Sequence, residues 1–126
     1  MLVKADMVDV LRFHREAGAA LTTIAVEQSM LVPYGVLDFD KKGVVSSFEE
    51  KPALQLKINS GVYVFEPKVL DYLPKKGPAM MSDLICALLK NKQKVAAYSI
   101  PENLFIDIGQ WEEFRQASKK LELGII

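Results

Sequence analysis

The chain has 126 residues, 50% hydrophobic and 25% charged, a composition ordinary for one globular domain with a real core. Its 16 Lys and Arg balance 16 Asp and Glu, so no net charge draws it towards nucleic acid or an anionic membrane. A single cysteine, Cys86, excludes an internal disulfide, and with only one histidine beside it no Cys/His metal cluster can form.

Met1-Leu2-Val3 reads as the tail of a strand, with nothing upstream to lead into it, and has the look of a cut end. Ala5 to Ala17 is predicted helical, with Met7, Val10, Leu11 and His14 on one apolar face. Asp6 and Asp9 suit the positive end of its dipole and Gly18 its stop. His14 reads as a packed or rim histidine rather than a catalyst. Ala19 to Glu27 is predicted as a buried strand and Gln28 to Pro33 as a loop. Tyr34 to Phe39 and Val44 to Glu50 form a predicted hairpin about Asp40-Lys41-Lys42-Gly43, a type I turn closed by a left-handed residue. Alternation sets Val44, Ser46, Phe48 and Glu50 on one face, so Glu50 points to the side that Phe48 buries, either paired or waiting for a ligand.

Ala53 to Lys57 reads as a loop and Ile58 to Phe65 as a central strand whose Asn59, Gly61, Tyr63 and Phe65 share a face. Gly61 clears space beside Asn59 for something to approach the backbone. Pro67 opens a short helix through Leu73. Ser82 is the expected cap of a helix with Leu84, Ile85, Leu88 and Leu89 inward, Cys86 a buried thiol and Met80 and Met81 gap-fillers in the core. Val95 to Ile100 and Leu104 to Ile108 are predicted strands. A last helix from about Gln110 carries Trp111, Phe114, Ala117 and Leu121 inward and ends at Gly124. The predicted class is α/β, a mixed sheet flanked by helices, in one domain over residues 1–126. No apolar run approaches the ~20 residues that span a bilayer. No signal-peptide pattern opens the chain, and the cytoplasm is the default compartment.

Few residues carry chemistry. Asp107 ends an apolar strand just before Gly109, a placement that suits either a Mg²⁺ ligand or a helix cap. Glu50 and Lys51 offer an acceptor for hydroxyls and a cation for phosphate, although adjacent strand residues diverge unless Pro52 bends the chain. No two glycines stand closer than Gly35 and Gly43, so the sequence contains no Gly-rich phosphate loop.

Taken in order, Phe13-His14-Arg15-Glu16-Ala17-Gly18, Tyr34-Gly35-Val36, Phe48-Glu49-Glu50-Lys51-Pro52, Ile58 to Phe65 and Phe105-Ile106-Asp107-Ile108-Gly109 span nearly the whole chain. Through them the chain resembles the sugar-1-phosphate nucleotidyltransferases, which make NDP-sugars. The resemblance implies the second, sugar-phosphate half of a Rossmann-like nucleotide-diphospho-sugar transferase domain. It implies that Gly35, through its backbone, with Glu50 and Asn59, holds the hydroxyls of a mannose- or glucose-type sugar 1-phosphate, and that Lys51 holds its phosphate. Asp107 would be one of two Mg²⁺ ligands. In that family the sugar phosphate attacks the α-phosphorus of an NTP and pyrophosphate leaves, with catalysis by positioning and charge neutralisation.

The family's Gly-rich loop, with its Arg and Lys, is absent from this sequence, and the Asp of the family's Gly-Asp pair would fall just before Met1. Pro33 and Gln110 stand where Arg and Thr are frequent. The expected partner is therefore a missing N-terminal half or a second copy of the chain. An alternative reading is a non-catalytic sugar-phosphate-binding or regulatory half-domain.

Overall fold

The computed structural model describes residues 1–109 and 111–124, the side chains of 111–114, 116 and 117 excepted. The readings placed on Gln110 and on the side chains of Trp111, Phe114 and Ala117 lie outside the described residues.

The chain runs β1 (Leu2–Val3), α1 (Met7–Ala17), β2 (Leu21–Leu31), β3 (Val36–Phe39), β4 (Val45–Glu49) and β5 (Ala53–Phe65). A 3₁₀ helix (Pro67–Tyr72), α2 (Met81–Lys90), β6 (Val95–Pro101), a 3₁₀ turn (Glu102–Leu104), β7 (Phe105–Ile106) and α3 (Trp111–Glu122) follow. The class is mixed α/β, as expected. A three-stranded sheet has the order β5-β2-β6, with β5 antiparallel and β6 parallel to β2. β1 pairs with β7, and β3 with β4, as two small antiparallel ribbons.

β2, expected as a buried strand, is the central one, and β5, expected to be central, is an edge of this sheet. β2 holds the centre because its first six residues are almost wholly sequestered: Leu21 and Val26 have no exposed surface and Ile24 has 1%. Alternation sends Leu21 to one face, where Ala20, Val69, Leu84 and Leu88 join it, and sends Ile24 and Val26 to the other, with Val10 and Ile100. α2 thus covers one face and α1 the other.

α1 starts where Asp6 accepts a hydrogen bond from the Val8 N–H (2.8 Å) and stops at Gly18, whose φ of 59° is left-handed. Of its predicted stripe, Val10 and His14 are buried, while Met7 and Leu11 stay exposed. His14 is a packed histidine, 4% exposed, with Nδ1 2.8 Å from Thr22 Oγ1 and Nε2 3.4 Å from Glu66 Oε1. It ties α1 to β2 and to the start of the 3₁₀ helix.

Both predicted loops beside the hairpin are strand. β2 runs on to Leu31 and β5 begins at Ala53, paired from Glu27↔Lys57 to Leu31↔Ala53. The polar residues that broke the apolar pattern are satisfied laterally. Glu27 accepts from Ser99 Oγ (2.8 Å), Gln28 donates to Glu102 (3.1 Å) and Gln55 donates to Ser29 (3.2 Å). The result is a two-stranded arm ending in the β3–β4 hairpin. The predicted turn forms: Asp40 Oδ1 accepts from the Lys42 and Val44 N–H groups and Gly43 has φ +82°. Phe48, however, is 61% exposed, so Glu50 does not lie on a buried face: nothing among the described residues covers the hairpin, whose Val36, Leu37, Phe39 and Val45 are exposed as well.

α2 begins one residue before its predicted cap. Asp83 accepts from the Met80 N–H (2.9 Å), so the helix starts at Met81 and Ser82 is inside it. The inner stripe is Met81, Leu84, Ile85 and Leu88, at i, i+3, i+4 and i+7. That spacing leaves Leu89 and Cys86 exposed, against expectation, and Met80 lies outside the core at 71% exposure. Beyond β6 only Phe105–Ile106 of the predicted final strand pairs, and Leu121 is 55% exposed, lining a groove with Leu2, Leu104 and Ile106. Among the described residues no helix is long and apolar enough to cross a membrane.

Leu84 has no exposed surface and joins α2 to the sheet. Leu84→Ala is expected to lower stability by about 2–5 kcal/mol, measured by urea unfolding; a loss below about 1 kcal/mol would place Leu84 outside the cooperative core.

Candidate functional site

The structure sorts the sequence-predicted residues into three groups. The first is at the base of the hairpin. Gly35 and Glu50 meet there: a Cβ built on Gly35 would lie 2.7 Å from Phe48 Cε2 and 3.3 Å from Glu50 Oε2. A side chain at 35 would have to displace the Phe48 ring and the Glu50 carboxylate, which pack directly on the Gly35 backbone. The ribbon is closed just below by Lys51 N–H to Tyr34 O (3.2 Å) and Val32 N–H to Pro52 O (2.9 Å), with Pro52 buried.

The expected divergence of Glu50 and Lys51 is settled by a kink at Lys51 itself, whose φ is +44°. A left-handed backbone is uncommon for a side chain that branches at no special position, and such conformations concentrate at ligand sites. Both side chains are exposed, and among the described residues neither has a hydrogen bond or an ion pair. An acceptor-only carboxylate and a point cation are thus left available beside a bare stretch of backbone.

The second group is built on an irregularity of β5. Pairing with β2 slips between Thr23↔Tyr63 and Ala25↔Asn59, so Ser60, Gly61 and Val62 face Ile24 alone. Gly61 takes φ +80° in this bulge. Its N–H donates to Asn59 Oδ1 (3.2 Å), Thr23 Oγ1 donates to the same oxygen (2.6 Å), and Asn59 Nδ2 donates to Tyr63 Oη (2.6 Å). Asn59 and Tyr63 share a face, as predicted. The space that Gly61 leaves is taken by Met1, whose methyl carbon is 2.5 Å from where a Cβ would sit.

The third group is Asp107. Its Oδ1 accepts from the Gly109 N–H (3.0 Å), and a Cβ at 109 would press to 3.1 Å from that oxygen, which explains the glycine. Asp107 opens on a cleft of about 790 Å³ shared with Ile58, Glu102, Asn103, Phe105 and Lys120. Oδ2, a hard oxygen, has no hydrogen bond or ion pair among the described residues. Among the described residues no cluster of three or more His, Cys, Asp or Glu side chains could hold a metal ion. The cleft carries two carboxylates among the described residues, Asp107 and Glu102, the latter already accepting from Gln28, so Asp107 could give Mg²⁺ one ligand, and a metal that takes one or two carboxylates would complete its shell with substrate phosphates and water.

No hydrogen bond or ion pair among the described residues joins the hairpin pair to Asn59 or to Asp107. Sequence reading missed Thr23 and Tyr63 as partners of Asn59. The available signal was Gly61 standing between Asn59 and Tyr63 on one strand face.

The family model described as "Nucleotidyl transferase" matches residues 1–123. The chain is 34% identical over 123 residues to a UTP--glucose-1-phosphate uridylyltransferase of Synechocystis sp., covering 92% of this chain and 31% of that protein. It is 30% identical over 107 residues to the mannose-1-phosphate guanylyltransferase catalytic subunit beta of Drosophila pseudoobscura pseudoobscura, covering 83% of this chain and 28% of that protein. Its fold is similar to the crystal structure of HddC from Yersinia pseudotuberculosis, with a TM-score of 0.62 and 27% identity, over 94% of this chain and 51% of the other. The chain thus spans less than a third of the length of these two curated relatives. With the match running from residue 1 to residue 123, the chain belongs to the nucleotidyl transferase family.

Proposed function

We propose that residues 1–126 form the sugar-phosphate part of a catalytic domain that joins a sugar 1-phosphate to an NTP, giving an NDP-sugar and pyrophosphate. The carrying observation is the unpartnered Glu50 carboxylate packed on the bare Gly35 backbone, next to the left-handed Lys51. An acceptor-only group suits sugar hydroxyl protons, and a neighbouring cation suits a phosphate. Glu50, Asn59 and the Gly35 backbone orient the sugar, and Lys51 holds its phosphate. The names of the similar proteins, one acting on glucose 1-phosphate and one on mannose 1-phosphate, support these two ligands.

In this reading the residues act by positioning. Held by Lys51, a phosphate oxygen of the sugar is oriented towards the α-phosphorus of the NTP, and pyrophosphate departs without a covalent intermediate on the protein. Asp107 would hold Mg²⁺ through Oδ2, and the ion would supply neutralisation of phosphate charge. The triphosphate would be held by groups outside this sequence, which has no Gly-rich loop.

Calorimetric titration of the chain with glucose 1-phosphate and mannose 1-phosphate is expected to show saturable binding. Glu50→Gln and Lys51→Met should each weaken it about tenfold or more, the scale of a lost charge-assisted hydrogen bond, with unfolding unchanged because both side chains are exposed. Gly35→Ala should weaken it similarly, since the new methyl displaces Phe48 and Glu50. No binding by the wild-type chain, or equal binding by all three variants, would sink the assignment. Supplied with NTP, Mg²⁺ and sugar phosphate, the chain alone should release no pyrophosphate above background; turnover would show that the triphosphate is held within these residues.

A further inference from the structure

We propose that the open edge of β5, from Ala53 to Asn59, docks a second copy of this chain. The two strands pair antiparallel about a two-fold axis at Leu56. This interface is independent of the sugar-phosphate reading.

β5 is the outer strand of the order β5-β2-β6, so its second side has no strand partner among the described residues. Seven consecutive pairs, from Ala25↔Asn59 to Leu31↔Ala53, keep the stretch regular, and the bulge begins only beyond Asn59. In such a strand the N–H and C=O of every second residue point away from the neighbour. Here those groups meet no backbone partner among the described residues. Proteins blunt open edges with proline, bulges, charges or a covering element. Ala53 to Asn59 contains no proline and no bulge, and Lys57 is its single charge. Ala53 to Lys57 are all exposed.

The side chains select the occupant and its register. Leu54, Leu56 and Ile58 alternate onto one face, continued on β2 by Met30 opposite Leu54. Leu54 is 47% exposed, Leu56 39% and Met30 52%, an apolar stripe that leaves the core at Ile58 and runs out along the arm. Ala53, Gln55, Lys57 and Asn59 alternate onto the other face. A strand that continues both faces must carry this same alternation, and β5 itself does. Pairing about Leu56 sets Leu56 against its own copy, Leu54 against Ile58, Gln55 against Lys57 and Ala53 against Asn59. An axis at Lys57 would oppose two ammonium groups, which is unfavourable across a ladder. An axis at Gln55 shortens the ladder, because Pro52 would face Ile58 with no N–H to give. The polar face is complementary as well. Gln55 donates its NH₂ to Ser29 Oγ (3.2 Å), and its carbonyl oxygen, without a partner among the described residues, can accept from Lys57 of the second copy. Lys57 has no ion pair among the described residues. A ladder this short covers less than the ~1,200 Å² of a standard interface, so the expected affinity is micromolar.

Sedimentation velocity of the intact chain, over roughly a hundredfold range of concentration, is expected to show a monomer–dimer equilibrium. Leu56→Lys sets two lysines against each other on the axis and should weaken the dimer about tenfold or more. A chain that is monomeric at every concentration, or a dimer that Leu56→Lys leaves equally tight, would overturn the proposal.

Crosslinking reads the register. With the exposed Cys86 replaced by Ser, Leu56→Cys should oxidise to a disulfide-linked dimer, because directly opposed β-carbons lie roughly 4.5–5.5 Å apart. Lys57→Cys in the same background should not, since it faces Gln55 of the second copy. Equal crosslinking of the two, or none of either, overturns the axis at Leu56. Backbone amide exchange identifies what covers the edge. Protection of residues 53–59 should grow with protein concentration. Protection in a chain that stays monomeric would mean that another segment of the same chain takes the edge, and would overturn the second copy as its occupant.

Discussion

The structure depends on β2 having both of its edges paired. Buried backbone N–H and C=O groups must be satisfied, and β2 is buried on both faces from Leu21 to Val26, Thr23 being partly open. Antiparallel β5 on one side and parallel β6 on the other meet that demand. Once β2 is fixed, its alternation distributes the core, with Leu21 towards α2 and Ile24 and Val26 towards α1. The same ladder carries the strand past the core to Leu31, where the pairs Met30↔Leu54 and Leu31↔Ala53 hold the hairpin at a set distance from the sheet. The position of Glu50 and Lys51 is thus inherited from the register of a strand whose buried part is remote from them.

A regular β5 would not present Asn59 as it does. Three residues opposite one force a local excursion, and Gly61 absorbs it at a φ that a side chain rarely adopts. The excursion leaves Ser60 with no exposed surface, its hydroxyl accepting from the Val62 N–H (3.2 Å), and turns the Gly61 N–H onto Asn59. Because Asn59 and Tyr63 are four residues apart, they stay on one face and can bond. The bulge converts a strand that packs the core into one that also holds a polar side chain at a set angle.

Much of this was legible in the sequence. Helix α1 with its Gly18 stop, the Asp40–Gly43 turn and the class α/β with a mixed sheet follow from local rules that the structure obeys, although α1 begins at Met7, with Asp6 as its cap, two residues after the expected Ala5. What failed did so where tertiary pairing overrides local pattern. Glu27, Gln28 and Ser29 look like the end of a strand until Ser99, Glu102 and Gln55 are placed beside them. Phe48 reads as a core residue in sequence because alternation identifies a face but not what covers it. Cys86 and Leu89 were assigned inward because a helix stripe read from hydrophobicity alone is wider than the one that packs. At the candidate site, the residue types at 35, 50, 51 and 59 were visible. The contact of Gly35 with Glu50 and the capture of Asn59 by Thr23 were not, since both need three-dimensional register.

Within the proposed site, Glu50, Asn59 and Lys51 differ in hydrogen-bond polarity, as a sugar phosphate would ask of a protein. A hydroxyl both donates and accepts, so a site that orients a sugar needs both kinds of partner. Glu50, without a hydrogen bond or ion pair among the described residues, can only accept when ionised. The Asn59 carboxamide oxygen already accepts from Thr23 and the Gly61 N–H, so what Asn59 has left to offer is an N–H donor. Lys51, next to Glu50 in sequence, supplies a compact cation on a left-handed backbone, with no ion pair among the described residues. With formal charges balanced at 16 and 16, the chain has no net field to steer an anion from a distance. Selectivity must then come from short-range geometry. A rigid strand, a bulge and a bare glycine backbone provide that geometry, because each holds its polar group in place before any ligand arrives and so reduces the ordering cost of binding.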